Sequence, residues 1–485
     1  MLHEGQEIIL YGGGIRCIAI LGKLREANIG VRAIVDSNES RWGEALDGIV
    51  IQQPSVIGQN SDLVLCITVK DPKEQERIRD DLQGTYGSGS LKEICYEDLE
   101  QEAALLIYRA KADQIDFTKR RPSIVFDCTS GLGLGGIEAW TKGLCSDLLM
   151  EGFDNIRILT DTGDCQISDK LLDIVDRAFD KERYRSKKQK LECITSYLID
   201  LLPVVIVIGK PEIFLEAAVL LRQAVPDKVK IISVVHNGEE KIYGFYDQYR
   251  EYTDAYVGVS EDIKRDLVER GVPADRVFSI TCPVPCDKVL SRGYTVDVSL
   301  PIKIGYAGRV VVLQKRMDLL LKVIEILENR DVSFCMEIAG DGPYREEMQR
   351  IVIEEGWDKH VHFLGALDRK DIPAFWKRQD ICVNIADAEG RCISKLEAMA
   401  DGAVPIMTRT AGNPEDIMEG VNGYMVEIGD YGDMAEKIKF LARYREMLPK
   451  LGLKAHDTVY PKCRREVHTA FWVKLLSGEL CGLKL

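Results

Sequence analysis

Residues 380–409, DICVNIADAEGRCISKLEAMADGAVPIMTR, decide how the whole chain is read. The apolar run DICVNIA reads as a buried strand, ADAEG as a loop, and ISKLEAMA as a helix with apolar residues at helical spacing; Gly402 stops the helix and AVPIMTR begins the next strand. The loop holds Glu389 and the helix Glu397, so one strand-loop-helix unit carries two carboxylates. Their spacing corresponds to about 12 Å at about 1.5 Å per helical residue, a length suited to touching both ends of a ligand with a diphosphate in its middle. Gly390 lets the backbone come close at the helix start, where the free N–H groups of Arg391, Cys392 and Ile393 and the helix dipole favour phosphate.

Upstream, GYAGRVVVLQKRMDLLL ends a strand at Gly308 and places Arg309 and Lys315 in the loop before the next helix. Two cations at the carboxyl end of a strand fit a diphosphate. Strand patterns at IKIGYAG, SFCMEIAG, VHFLG, DICVNIA and AVPIMTR alternate with helices, which predicts an α/β unit over 299–464. A second α/β unit, 120–298, starts at SIVFDC with the glycine loop TSGLGLGG, a helix from about Ile137, and strands NIRILTD, PVVIVIG, KIISVVH, AYVGVS and RVFSIT. The final helical stretch, about 465–485, has no strand after it and is expected to cross back onto that second unit. A first unit, 1–115, opens with EIILYG, the turn Gly12 to Gly14, a helix and the strand VRAIVDSN. The predicted fold class is thus α/β throughout, in three doubly wound units.

Composition narrows the function classes. With 46% hydrophobic and 29% charged residues the chain reads as globular, and a formal net charge of −14 argues against a nucleic-acid partner, which needs clustered Lys and Arg. The 14 cysteines are scattered singly, as reduced buried thiols are, so a cytoplasmic protein without a disulfide framework is expected. Cys282 and Cys286 lack a second pair, so no metal site is expected there. The most apolar run, YLIDLLPVVIVIG, carries Asp200 and breaks at Pro203, which speaks against a membrane span, and Met1 to Gly5 lead straight into a strand, which speaks against a signal peptide.

Residues 120–485 resemble the family 4 retaining glycosyltransferases of the GT-B fold, in which two Rossmann-like domains face a cleft. The resemblance rests on an E-x7-E motif at Glu389 and Glu397, on Arg309 with Lys315, and on IAGDGPYREEM and FLGAL in the order and spacing of the family. It implies that Gly308, Arg309, Lys315 and the backbone of 391–393 bind the diphosphate of a nucleotide-sugar, UDP above GDP, that Glu397 bonds the ribose, and that Glu389 meets the transferred sugar. Gly135 and Gly136 resemble the glycine loop of the family, and His236 in SVVHN its histidine beside the reacting sugar. No metal and no cofactor are implied; the acceptor is a glycan, a lipid-linked molecule or a protein. Arg391 and Cys392 replace the aromatic and glycine usual after the first Glu-Gly, which leaves the sugar open.

Each sharp reading has a plainer one beside it. Glu389 and Glu397 taken alone would be two solvated carboxylates; Arg309, Lys315 and the glycine loop reverse that. His236 taken alone would be a satisfied strand-end histidine. The basic run 181–190, KERYRSKKQK, could touch anionic lipid at the inner face of the membrane, and a solvated helix face is the preferred reading. Gly12, Gly13 and Gly14 with Asp36 have the layout of an accessory nucleotide site, against which stands an empty site used for subunit contacts. An epimerase or phosphorylase on the same fold, and a non-catalytic partner subunit, are the competing functions.

Overall fold

Three runs of apolar, β-branched residues build three sheets, each mostly parallel, in a computed structural model that describes residues 2–58, 63–87, 92–128, 136–161, 171, 173–179, 184, 186–480 and 482. The first sheet takes β1 (Glu7–Tyr11), β2 (Gly30–Val35), β3 (Ala45–Leu46), β4 (Ile49–Gln52), β5 (Val64–Ile67) and β6 (Lys92–Ile94) in the order β3-β4-β2-β1-β5-β6. Only the edge pair β3 and β4 is antiparallel among its described pairings. The second takes β7 (Ser123–Cys128), β8 (Ile156–Asp161), β9 (Val175–Phe179), β10 (Val204–Ile208), β11 (Val229–Val235), β12 (Ala255–Gly258) and β13 (Val277–Ser279) in the order β13-β12-β11-β10-β7-β8-β9. The third takes β14 (Ile302–Ala307), β15 (Phe334–Ala339), β16 (Val361–Gly365), β17 (Ile381–Asn384), β18 (Val404–Thr408) and β19 (Tyr424–Val426) in the order β16-β15-β14-β17-β18-β19.

In every sheet the strand order reverses beside its first strand, so the connections leave on opposite faces there and open a crevice at the strands' carboxyl ends. For the third sheet the reversal lies between β14 and β17, the two strands that lead into Arg309 and Glu389. For the second it lies between β7 and β10, and the helix Gly136–Met150 follows β7.

Alternation of side chains across the third sheet divides its core in two. Ile304, Tyr306, Ile338, Val383 and Ile406 pack with Leu320 and Ile324 of the helix Met317–Asn329 and with Met434 and Ile438 of the helix Tyr431–Arg443. Their neighbours Ala307, Ala339, Cys382 and Met407 face the other way, onto Phe375, Trp376 and Ala398. The strands expected at 303–409 all form. The short strands β3, β4, β6, β9 and β19, which the apolar pattern did not announce, lie towards the sheet edges.

The chain divides into two compact units: Met1–Pro122 with Lys188–Val204 and Glu216–Val229, and Ser123–Lys187 with Val205–Leu215 and Lys230–Leu485. Within the first, Lys23 pairs with Glu192 at 2.5 Å, and Arg120 donates to the Asp200 carbonyl at 2.7 Å. Within the second, the chain ends in two helices, Leu448–Cys463 and Arg465–Leu476. Arg465 pairs with Asp147, and Thr469 Oγ1 donates to Asp147 Oδ2 at 3.1 Å, so the last helix is tied to Gly136–Met150. No helix among the described residues is long and apolar enough to cross a membrane.

Gly340, just after β15, touches Gly308: a Cβ there would lie 1.8 Å from the Gly308 carbonyl oxygen. Gly340→Ala therefore has to displace the backbone at the end of β14, and a fall in Tm of about 5 °C or more is expected in a thermal melt.

Candidate active site

Two loops meet at the reversal of the third sheet. Arg309, exposed, donates from Nη2 to Gln314 Oε1 at 2.6 Å, and Gln314 Nε2 donates to the Ala388 carbonyl at 3.1 Å. The Asp387 N–H donates back to the Gln314 carbonyl at 2.8 Å. Gln314 and Arg316 both have left-handed backbone, at φ 72° and φ 52°, a conformation that costs a non-glycine residue unless contacts hold it. Arg316 is held by both oxygens of Asp387, at 3.1 and 3.0 Å, and by Asp318. Lys315 between them forms an ion pair with Glu389, with 13% and 11% of the two side chains exposed. The structure thus brings Gly308, Arg309, Lys315 and Glu389 to one place, with the Lys315 and Glu389 charges neutralising one another.

Past Glu389 the chain turns into the helix Ile393–Ala400. Cys392 precedes it with an extended backbone and provides no side-chain cap; its sulfur accepts from Asn384 Nδ2 at 3.4 Å. Gly390 is there for contact: a Cβ would sit 1.9 Å from the His236 carbonyl oxygen. A Cβ on Gly136 would lie 3.3 Å from Ile393 Cδ1. The carboxyl end of β11 and the start of Gly136–Met150 therefore abut the start of the E-x7-E helix. Gly135 lies outside the described residues, as do residues 181–183 and 185 of the basic run.

Burial pushes the Glu397 carboxyl up to about 7, against the opposing pull of Arg369 and the Trp376 indole. His236 goes the other way. Burial, with the Lys210 charge added, brings its imidazole down to about 4, so it is neutral at physiological pH. Its Nε2 is buried and has no partner among the described residues, and the Trp140 ring stands edge-on to it at 5.0 Å and 74°. Lys210, just after β10, pairs with Glu138 at 3.1 Å. The sequence reading missed Lys210, Glu138 and Trp140, because only the order of strands in the second sheet brings them near His236.

Arg391, expected to offer its backbone N–H to phosphate, has its side chain engaged elsewhere. Its guanidinium does not face the crevice for an anion: it is buried, donating to Glu415 at 2.8 Å, to Asp416 at 2.7 Å and to the Val259 carbonyl at 3.2 Å. The fully buried Lys395 donates to Asp416 at 2.7 Å and to the Gly412 carbonyl at 2.9 Å, and Lys462 also pairs with Asp416. Burial opposes ionisation of Asp416, yet Lys395, Arg391 and Lys462 together hold its carboxyl at about 2. Three cations face two carboxylates, Glu415 and Asp416, which leaves one positive charge in excess at the start of the helix. Only the backbone of Arg391 remains for a phosphate.

In the first unit Asp36 is already occupied. Its Oδ2 accepts from the Gly13 N–H at 2.9 Å and from Arg41 at 3.4 Å, and its Oδ1 from the Asn38 N–H at 2.9 Å. A Cβ on Gly12 would lie 2.7 Å from Val69 Cγ2, and one on Gly13 2.7 Å from Ile51 Cδ1, while Gly14 opens onto free space. Gly12 and Gly13 thus pack closely against neighbouring side chains, and the Asp36 carboxylate closes the turn beside them.

Residues 301–443 match the family described as glycosyl transferases group 1. The poly(ribitol-phosphate) alpha-N-acetylglucosaminyltransferase of Staphylococcus aureus is 25% identical over 178 residues, covering 36% of this chain and 35% of that protein. The N-acetyl-alpha-D-glucosaminyl L-malate synthase of Bacillus anthracis is 24% identical over 265 residues, covering 51% and 68%. The chain thus spans about a third of the first relative and two thirds of the second. HepE from Anabaena, solved with UDP and glucose, superimposes with a TM-score of 0.61 at 16% identity over 74% of this chain and 100% of that one. The fold is that of the GT-B glycosyltransferases, with two Rossmann-like domains.

Two variants test these electrostatics. Asp416→Asn leaves Arg391 and Lys395 buried without their shared carboxylate, a loss of about 3–5 kcal/mol. Because the folded carboxyl titrates near 2, below the ordinary 3.8, that stabilisation is full above about pH 4 and fades as pH falls towards 2; melts of wild type and variant should converge at acid pH. Glu397 has the opposite sign: its folded value, near 7, lies above the ordinary 4.5, so ionising it weakens the fold as pH rises through this window. Glu397→Gln should raise Tm by a few degrees at pH 8 and leave it nearly unchanged at pH 4.

Proposed function

We propose that the chain is a retaining, metal-independent glycosyltransferase that moves a hexose or N-acetylhexosamine from a nucleotide-diphosphate sugar, UDP above GDP, to a glycan, lipid-linked or protein acceptor. The observation that carries this is the meeting of the Arg309–Lys315 loop with Glu389 at the reversal of the third sheet, against the β11 end that bears His236. Fixed cations aimed at a leaving diphosphate act more strongly on the transition state than on the ground state, because charge grows there as the sugar departs. The names of the two relatives, each of which carries an N-acetylglucosaminyl group, and the UDP and glucose bound by HepE support this donor class.

In the reaction the bond from the sugar C1 to the phosphate oxygen breaks and a bond from C1 to the acceptor oxygen forms on the same face. The acceptor's proton passes to the departing phosphate oxygen, so no protein base is consumed. Arg309 and Lys315 take up the charge left on the diphosphate, and Glu397 holds the ribose. The neutral His236 and Glu389 orient the sugar hydroxyls and steady the oxocarbenium-like centre. The reaction belongs in the cytoplasm.

The test is a thermal-shift and donor-hydrolysis screen against UDP- and GDP-sugars, with and without EDTA, on wild type, Arg309→Ala and Glu397→Ala. A UDP-sugar is expected to raise the Tm of wild type alone, unaffected by EDTA; at a hundredfold excess over Kd the gain is about 2.7 kcal/mol. Retention is read by NMR from the anomeric configuration of the product. An inverted product refutes the mechanism, EDTA-sensitive turnover refutes metal independence, and a chain that neither binds nor hydrolyses any donor is a binding subunit instead.

A further inference from the structure

The last helix, Arg465–Leu476, carries a histidine the proposed chemistry does not use. His468 is buried, and its Nε2 accepts two indole N–H groups, from Trp140 at 3.0 Å and from Trp472 at 3.3 Å. A ring nitrogen that accepts holds no proton, so the imidazole is neutral with its proton on Nδ1. Burial, with His236 nearby, brings this group down to about 3, so the arrangement does not titrate near neutrality. Nδ1 is buried without a partner among the described residues. Filling space alone would favour an apolar side chain here, since an unpaired buried N–H weakens a fold.

The first of these bonds fixes Trp140. Its N–H is held by His468, and its ring packs edge-on against Trp472 at 5.6 Å and against His236 at 5.0 Å. Trp140 and Asp147 lie on the same helix, and Asp147 holds Arg465 and Thr469, so the strut is anchored at both ends. We infer that His468 is a positioning residue for His236: through Trp140 it sets the direction in which the unpartnered Nε2 of His236 meets the reacting sugar. This rests on the glycosyl-transfer reading for its catalytic readout.

The test uses the full chain with the donor found in the screen, in His468→Phe, His468→Gln, His236→Ala and the double variant His236→Ala/His468→Phe. His468→Phe fills the space without an acceptor and should lower kcat about tenfold or more, with donor KM within about twofold. His468→Gln, whose carbonyl can accept from an indole, should recover part of the loss. The double variant should be no slower than His236→Ala alone, because a residue acting through another adds nothing once that other is gone. Wild-type kcat in both His468 variants, or a double variant slower by the full product of the single losses, overturns the inference.

Ring 15N shifts of His236 separate the two readings and cover the case in which His468→Phe does not fold. If wild type transfers no sugar, the functional reading fails. The positioning claim then stands when His468→Gln moves the His236 Nε2 resonance, and falls when that resonance stays put in a variant whose Tm matches wild type.

Discussion

Everything at the crevice depends on one close contact, the backbone of Gly390 against the carbonyl of His236. At that point the end of β11 and the loop after β17 are nearer than any side chain would allow. Arg391, the next residue, carries the same seam inward by donating to the Val259 carbonyl after β12 while pairing with Glu415 and Asp416. Glu415 also accepts the Asp262 N–H at 3.0 Å, and Asp262 accepts the Gly412 N–H at 3.1 Å. Steric contact sets the distance, and hydrogen bonds between charged side chains and backbone groups keep the two sides from sliding.

The buried cluster also shapes the potential at the helix start. Ion pairs away from water are costly to assemble and costly to break, so they fix an arrangement more than they add net stability. Here the arrangement is lopsided, with Lys395 fully buried and Lys462 reaching the same carboxylate from the helix Leu448–Cys463. The surplus positive charge reinforces the dipole of Ile393–Ala400, and it does so from side chains already paired with carboxylates.

Much of this was legible in the chain. Continuous apolar runs gave β14, β15, β17 and β18, and the glycines and prolines between them gave the turns, because buried parallel strands need no alternation and have sharp ends. The short edge strands β3, β9 and β19 were not legible: two to five residues with mixed polarity carry too little pattern, and neighbouring strands decide their fate. In the site, Arg309, Lys315 and Glu389 could be picked out because short stretches of sequence hold them. The inward turn of Arg391 could not be read, since its partners lie 24 and 25 residues on and across a seam, nor could the His468 strut, 328 residues from Trp140. Asp36 shows the converse, a local pattern legible in the chain whose carboxylate also closes the turn beside it.

The pairing of Lys315 with Glu389 cancels these two charges against one another in the crevice. Any anion that takes Lys315 must strip it from a carboxylate, which then stands half-buried and unmatched beside the newcomer. An anion alone answers only Lys315, whereas a ligand with hydroxyl donors next to its diphosphate can satisfy both partners at once. On the donor reading proposed above, the pair is an exchange lock with two keys, which a ligand opens by offering an anion to Lys315 and a hydroxyl to Glu389 together.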